Sequence, residues 1–525
     1  MSFQFQLNRE VKFNHDKSLL DKAKENTPKT INREIHFKSL GKLVEDNTKL
    51  ENTTIEPCSD LLEEQQYNKD DTFILDFGNH YVGHFSIAIN SVGSPMDSPL
   101  YIRLRFAEIA AELSHESEEY DGWLAKGWIQ EEFVHLDELP TVLSLPRRYA
   151  FRYVEIKILD TSPKWSATFS DAKLKTALSV DENNLELPEI NDLELEKIYH
   201  VAIKTLADCM SDVFEDGPKR DRRLWLGDLR LQALSNYKSF KQNDLVKRCL
   251  YLFAGMASSD GRISANVFTK PKVNPDDTFL FDYSLFFISV LHDFIKNDGE
   301  SNILEELYPI AKKQMDYSLK FVGENGQIEC SDDYPVFIDW SNEFSKDVCA
   351  QAVIIYTLKQ FIYLANKLGQ ETQNYQSILD KLETYSKNVL FNSEKNMFQC
   401  QNGEFNIASQ VWMVLAKVFT KEINNSIMDT AYDKFFPITG IATPYMYHHI
   451  TEALFISGHY ERAIALLKSY WGKMIDLGAD TFWEAFDPDQ PDYSPYGSPI
   501  ISSYCHAWSC TPIYLINKYV LESEE

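Results

Sequence analysis

The sequence predicts a multidomain β + α protein, an N-terminal β-sandwich followed by a closed double ring of helical hairpins, on three observations. Residues 30–180 hold short runs of period-two alternation or clustered β-branched and aromatic residues, broken by Gly, Pro, Asn and Asp. An acidic, Pro-containing stretch at 179–192, SVDENNLELPEIND, ends that pattern. From there to the C-terminus the apolar residues recur almost entirely at helical spacing.

The strands are expected at 72–77, 84–89, 100–106 and 152–158, with Gly78 and Gly83 punctuating the first two. Several short strands at this spacing imply two antiparallel sheets, each burying one face. The 179–192 stretch reads as an exposed connection, dividing the chain into domains 1–185 and 186–525. Asn191, followed three residues on by Glu194, resembles a capping box for the first helix. The clearest helix runs from Asp347 to Leu368, where Ala350, Val353, Ile354, Thr357, Leu358, Phe361 and Leu364 form one broad apolar stripe. About eleven such segments follow the connection, close to the roughly twelve helices of six closed hairpins.

Asp and Glu number 79 against 52 Lys and Arg, a formal charge of −27, so nucleic acid and other polyanions would be repelled. Nothing approaches 18 uninterrupted apolar residues, so no membrane partner is expected. The eight cysteines show no CxxC pair and no zinc-like spacing, and they read as reduced thiols. With the charged start MSFQFQLNREVKFNHDKS, which has no apolar signal core, they predict a cytoplasmic location. His448 and His449, adjacent on a helix, point apart and make poor ligands, so no metal is assigned.

The chemistry concentrates in two places. Glu215-Asp216-Gly217-Pro218-Lys219-Arg220-Asp221-Arg222-Arg223-Leu224-Trp225-Leu226-Gly227-Asp228 is a Gly/Pro-interrupted connection dense in carboxylates and arginines. Carboxylates accept hydrogen bonds from sugar hydroxyls and an indole stacks on a sugar face. The competing reading is a set of surface ion pairs of little consequence, but a solvated charge run does not need Trp225 inside it. The second place is Gly478 to Asp487, where Glu484 sits among aromatics that would raise its pKa. A hydrogen-bonded structural Glu is as good a reading of that stretch alone. Glycoside hydrolysis needs two carboxyl groups across one bond. In a ring of hairpins the first and last are neighbours, so loops near 220 and 484 can share one funnel.

The runs DGPKRDRRLWLGDLRLQALSNY, GADTFWEAFDP and SYCHAWSCTPIYLI resemble the compact α-L-rhamnosidases of glycoside hydrolase family 78. LDFGNHYVGHF and RRYAFRYVEI look like that family's β-domain, and FDYSLFF and PVFIDW like its helical domain. The resemblance implies an (α/α)6 toroid, an inverting mechanism without cofactor, and a pocket for terminal α-linked L-rhamnose on small rhamnosides. It also admits a homodimer, with no interface legible in the residues.

Aligned backwards from Trp225, Gly227 and Asp228, the family's general acid falls on Asp221, where Glu is usual and where the spacing from Asp216 is one residue short. A forward alignment would place it on Arg222, which cannot donate a proton usefully, and would displace Trp225 and Gly227. The general base falls on Glu484. Asp216 and Asp228 are then expected to hold hydroxyls, Trp225 to pack on the sugar ring, and Arg220 either to orient the acid or to pair structurally with Asp216 or Asp228. Asp282, Asp339, Trp340, Trp483 and His506 match further family positions near the pocket, although a core histidine is the competing reading for His506. Two alternatives stay open: the same toroid acting on another deoxy-sugar or a uronic acid, and a sugar-binding protein without catalysis.

Overall fold

The computed structural model describes residues 8, 10–299 and 301–522. The first seven residues, part of the stretch read as lacking a signal core, lie outside the described residues. The N-terminal segment forms helix α1 (Lys17–Glu25), capped by Asp16, whose side chain accepts the Leu19 N–H. Nine strands follow: β1 (Glu34–His36), β2 (Ser39–Glu45), β3 (Thr53–Ser59), β4 (Thr72–Gly93), β5 (Leu100–Ala107), β6 (Glu131–Leu136), β7 (Thr141–Ser144), β8 (Tyr149–Asp160) and β9 (Trp165–Thr176).

The two strands expected around Gly78 and Gly83 are one strand of 22 residues, β4, with an irregularity between Asp76 and Tyr81. The glycines do not end the strand because each permits something a side chain would block. Gly78 takes a positive φ of 77° at the irregularity, and a Cβ on Gly83 would stand 2.1 Å from the Lys175 carbonyl oxygen of β9. Along its length β4 changes partners. Its residues up to 83 pair with β8 and the first of them also with β2, whereas 83–93 pair with β9 and 86–89 also with β7, so this one strand ties all nine strands into a single hydrogen-bonded sheet. The sheet encloses an aromatic core in which Phe106 stacks on Tyr149 at 3.9 Å and meets Phe151 edge-on at 5.1 Å.

The helical part begins at α2 (Leu193–Asp208). Its cap is Asp192, one residue beyond the expected Asn191; the Asp192 carboxylate accepts the Glu194 and Leu195 N–H groups at 3.0 and 3.1 Å. The next helices are α3 (Leu226–Tyr237), α4 (Asn243–Gly255), α5 (Phe281–Asn297), α6 (Ser301–Ser318), α7 (Asp347–Lys367), α8 (Gln373–Tyr385), α9 (Ile407–Leu415), α10 (Lys421–Phe435), α11 (Pro444–Ser457), α12 (Tyr460–Leu467), α13 (Lys473–Asp476) and α14 (Pro512–Ile516). Helices α3, α5, α7, α9 and α11 pack in succession as an inner ring, which closes on α3 through the 507–509 turn and α14. The inner helices are apolar nearly all round: α5 is buried except at Asp293, Lys296 and Asn297. The outer helix α10 escapes the sequence pattern because its buried stripe is only Asn424, Ile427, Met428 and Ala431.

Chain order and spatial domain part company at the N-terminal end of the β-sandwich. Helix α1 belongs to the toroid, where Arg248 of α4 donates to the Ala23 carbonyl and the Thr27 hydroxyl at 2.7 and 2.8 Å. A boundary drawn simply at 185 therefore assigns this helix to the wrong core, since 1–185 is continuous in sequence only.

The two parts are joined by a fully buried ionic cluster. His80 of β4 bonds the Asp208 carboxylate of α2 through Nδ1 at 2.6 Å and Glu108 through Nε2 at 3.2 Å. Lys204 donates to both Asp208 oxygens at 2.6 and 2.7 Å, and the other Glu108 oxygen accepts the Tyr504 N–H at 2.6 Å. Burial disfavours the imidazolium, but the Cys505 sulfur and the Asp208 and Glu108 carboxylates outweigh it and push His80 up to about 10. Charge balance agrees, because two cations then face two carboxylates. A raised histidine pKa adds stability in full below the unfolded value of about 6.5 and loses it as pH climbs toward the folded value. Urea unfolding of the wild type and His80→Gln should therefore show their stability difference shrinking between about pH 7 and 10. A difference constant across that window would mean that His80 is neutral.

Candidate functional site

The segment between α2 and α3 is a tight reversal anchored by Asp216. Its N–H donates to the Arg223 carbonyl at 3.0 Å, its carboxylate accepts the Arg223 N–H at 2.9 Å, and its carbonyl accepts the Ala507 N–H at 2.7 Å. Asp221 and Arg222 take successive left-handed conformations, with φ of 59° and 54°. This double reversal takes up the short spacing from Asp216 to Trp225, and aspartate tolerates it better than most residues. Trp225 then pairs with Asn266 in a small sheet formed by β10 (Leu224–Trp225) and β11 (Asn266–Phe268). Helix α3 starts one residue later and carries Asp228 in its first turn, where the helix dipole suits a carboxylate.

The 478–487 stretch lies beside 494–509. The Glu484 N–H donates to the Ser503 carbonyl at 3.1 Å, and the Trp508 indole donates to the Glu484 carbonyl at 2.9 Å. The Glu484 carboxylate is held at both oxygens, by Arg220 Nη2 on one and the Tyr496 hydroxyl on the other. Arg220 Nε donates to the Ile501 carbonyl at 3.1 Å, and its guanidinium lies 4.0 Å over the Tyr496 ring. Arg220 Nη1 comes within 3.5 Å of Asp221 Oδ1. That exceeds a charge-assisted hydrogen bond, so Arg220 grips Glu484 and only leans toward Asp221.

The structural pairing of Arg220 with Asp216 or Asp228 does not form. Asp216 is occupied by its own loop, and Asp228 faces His506, with Oδ1 and Nδ1 3.6 Å apart. Neither of these two atoms has a hydrogen-bond partner among the described residues, and buried polar atoms of this kind call for one. The two residues therefore offer hydrogen-bonding groups to a ligand.

Four carboxyl groups, those of Asp216, Asp221, Asp228 and Glu484, thus lie close enough to act on one another's charge, with the Arg220 guanidinium beside Glu484 and Asp221. Burial, then the charges of Asp221 and Asp228, push Asp216 well above the usual carboxylate range. Burial followed by Glu484 does the same to Asp228. In both, burial favours the neutral acid, a form that can donate as well as accept. Burial also raises Glu484, against Arg220 and Tyr496, which favour its ion. His506 is driven well below its ordinary value by burial and then by Arg220, and is neutral.

Aromatic rings complete the surroundings. Trp340 lies 6.1 Å from Tyr496 and 5.4 Å from Phe337, Phe337 stacks near Trp508 at 5.9 Å, and Trp508 lies 4.3 Å from His506. Trp225 meets Tyr283 edge-on at 6.2 Å. Three further expected site residues make contacts within the fold. Asp282 accepts the Phe337 and Ile338 N–H groups, both at 3.1 Å. Asp339 accepts the Ala442 and Ser341 N–H groups and the Thr443 hydroxyl. Trp483 packs on Phe486 and Tyr504, and its indole N–H has no hydrogen-bond partner among the described residues. Tyr496 and Trp508 are the residues that sequence reasoning did not single out; Trp508 lies in the SYCHAWSCTPIYLI run and Tyr496 in the segment before it, and only contact with Glu484 distinguishes them.

His80, Asp208 and Cys505 come close enough together to be considered as metal ligands. Both His80 nitrogens are bonded to carboxylates and both Asp208 oxygens to Lys204, so the donor set is already used as an ion-pair network. His449 is similarly committed, to the Tyr445 carbonyl at 2.7 Å and to Arg230 at 2.9 Å.

Gly227 has a plain steric role. A Cβ there would stand 2.3 Å from the Tyr283 ring. Gly227→Ala should therefore push α3 off α5 and destabilise the protein by about 1–3 kcal/mol, read as a lowered Tm. An unchanged Tm would mean that the ring yields freely.

Comparison with known proteins agrees with this arrangement. Residues 38–176 match the glycosyl hydrolase family 78 α-rhamnosidase N-terminal domain, and residues 189–520 match the bacterial α-L-rhamnosidase six-hairpin glycosidase domain. A rhamnosidase from Klebsiella oxytoca, solved with rhamnose bound, is 40% identical and superposes with a TM-score of 0.93 over 97% of this chain and 100% of that one. A family 78 rhamnosidase from Bacillus sp. GL1 shares the fold, with a TM-score of 0.73 and 19% identity over 86% of this chain and 46% of that one. An α-L-rhamnosidase from Streptomyces avermitilis is 22% identical over 455 residues, 83% of this chain, which spans 41% of that relative's length. The chain belongs to the bacterial α-L-rhamnosidases of glycoside hydrolase family 78.

Proposed function

We propose that the protein hydrolyses terminal α-linked L-rhamnose from small rhamnosides by an inverting mechanism, with Asp221 as general acid and Glu484 as general base. The observation that carries this reading is that one guanidinium, Arg220, stands between these two carboxyls, which come from opposite ends of the toroid sequence. A guanidinium between them keeps them out of mutual contact. That favours the separation of about 6.5 to 9.5 Å used for inversion over the roughly 5 Å of retaining pairs.

Asp221 protonates the departing glycosidic oxygen while Glu484 takes a proton from the water that attacks the anomeric carbon from the other face. Arg220 and Tyr496 keep Glu484 ionised for that task, and its burial makes the ion more basic. Asp216 and Asp228, whose pKa values burial raises, hold sugar hydroxyls, with the His506 imidazole beside Asp228. The Trp340 and Trp508 rings offer apolar surface to the sugar face and its methyl group. Short substrates suit a mouth narrowed by the β-sandwich, whose Trp128 lies 6.0 Å from the Arg222 guanidinium and whose Trp123 lies 5.5 Å from Tyr496. All eight cysteines are free thiols, which supports a reducing, cytoplasmic setting.

Asp221→Asn and Glu484→Gln should each lower kcat on an aryl α-L-rhamnoside by at least about 1,000-fold while calorimetry still detects rhamnose binding; loss of one or both carboxyls without effect would overturn the roles. Proton NMR of the wild-type reaction should show β-L-rhamnose as the first-formed anomer, and the α-anomer first would establish retention. An aryl glycoside panel that turned over only with another deoxy-sugar or a uronic acid would reassign the substrate, and binding without turnover of any member would leave a sugar-binding protein. Tyr496→Phe removes a hydrogen bond to a charged group, a contribution of about 1.5–3 kcal/mol, so kcat should fall roughly 10- to 100-fold. An unchanged kcat would reduce Tyr496 to a packing residue.

A further inference from the structure

We infer that Glu112, a residue of the β-sandwich domain, is a positioning residue for the reaction: through Lys219 it sets where Asp221 stands relative to Glu484. The proposal rests on the functional reading above.

Glu112 lies in a single 3-10 turn, Ala110–Ser114, that follows β5 and enters the toroid's end. It is buried, and one carboxylate oxygen accepts the Glu108 N–H at 2.8 Å, which fixes the side chain to its own turn. The other oxygen accepts Lys219 Nζ at 2.5 Å. Lys219 Nζ also donates to the Ser502 carbonyl at 2.7 Å. Its neighbour Arg220 donates to the adjacent Ile501 carbonyl and grips the Glu484 carboxylate. The Ser503 carbonyl, next in line, accepts the Glu484 N–H.

Two consecutive basic residues of the 216–228 loop are thus pinned to two consecutive carbonyls of the 501–503 segment, whose next carbonyl, that of Ser503, holds the Glu484 N–H. The Lys219 ammonium, wholly enclosed, has Glu112 as its carboxylate partner. Without that carboxylate the ammonium would be a buried charge held by a lone carbonyl, an arrangement a protein relieves by moving the side chain toward solvent. Lys219 lies two residues before Asp221, so such a move displaces Asp221 while leaving Asp216, Asp228 and the aromatic rings in place. A displacement of about 1 Å can cost about 100-fold in rate without altering binding.

The test is steady-state kinetics on an aryl α-L-rhamnoside with Glu112→Gln, Lys219→Met, the double variant and Lys219→Arg, each checked for folding by circular dichroism. Glu112→Gln and Lys219→Met should each lower kcat about 10- to 100-fold with KM within about threefold of wild type. The double variant should be no worse than either single one, because both break the same link, and Lys219→Arg should recover part of the rate. Arg152→Met breaks a different bridge across the same interface, to Asp480 at 2.8 Å, and should lower Tm with kcat within about twofold.

Folded Glu112→Gln and Lys219→Met enzymes with kcat within about twofold of wild type would overturn the proposal. So would multiplicative losses in the double variant, or an Arg152→Met loss as large as theirs. Should Glu112→Gln fail to fold, the contrast between Lys219→Met and Lys219→Arg decides by the same criteria. A wild-type enzyme inert on the rhamnoside would sink the functional reading itself, whereas an active wild type with unaffected variants would sink only the tether.

Discussion

Placing four carboxyl groups around one small volume is electrostatically expensive, and the Arg220 guanidinium is what makes it tolerable. Its planar fork serves three groups at once: the Glu484 carboxylate, the Ile501 carbonyl and, more loosely, Asp221. Stacking on Tyr496 fixes the plane of the fork. One charge cannot neutralise four, and burial pushes Asp216 and Asp228 toward their neutral forms. Glu484 is pulled both ways, toward the neutral form by burial and toward the ion by Arg220 and Tyr496. A lysine could not replace Arg220, since a point charge on a flexible stem lacks the directed donors that hold two partners and a carbonyl in one plane.

The β-sandwich is bound into this electrostatic arrangement and is more than an appendage. Its residues Glu108 and Glu112 reach the two segments that build the site, one through the Tyr504 N–H and the other through Lys219. Beneath them His80 and Lys204 balance Glu108 and Asp208. Buried ion pairs are weak sources of net stability but strong constraints on geometry, because losing any one member strands a charge. Docking of the two domains is therefore specified by where the charges must meet, with apolar packing of Tyr120 and Ile129 on Tyr496, Ile500 and Ile501 filling the remaining contact.

Much of the architecture is legible in residue patterns because burial imposes periods on the sequence. Inner helices such as α7 are apolar around most of their circumference, and the strands of the sandwich alternate. Where the pattern fails, a local reason is visible. The outer helix α10 buries too narrow a stripe to announce itself. The apparent break at Gly78 and Gly83 is a kink in one continuous strand, since glycine marks both turns and close approaches and a sequence does not say which. Helix α1 precedes the sandwich in the chain but packs on α4 of the toroid, and a linear reading has no means of moving it.

At the site the same division holds. Residue order alone announces which side chains are on offer: a loop with Asp216, Arg220, Asp221, Trp225 and Asp228, and a distant Glu484 among aromatics. Their pairings belong to the folded chain. It gave Arg220 to Glu484 instead of to Asp216 or Asp228, turned Asp282 and Asp339 into backbone braces, and brought in Tyr496 and Glu112 from segments with no local sign of function. The physical reason is range. Propensity and burial act over a few neighbouring residues and leave a written period, whereas a hydrogen bond or ion pair between segments hundreds of residues apart depends on where each chain path ends, and no local pattern records that.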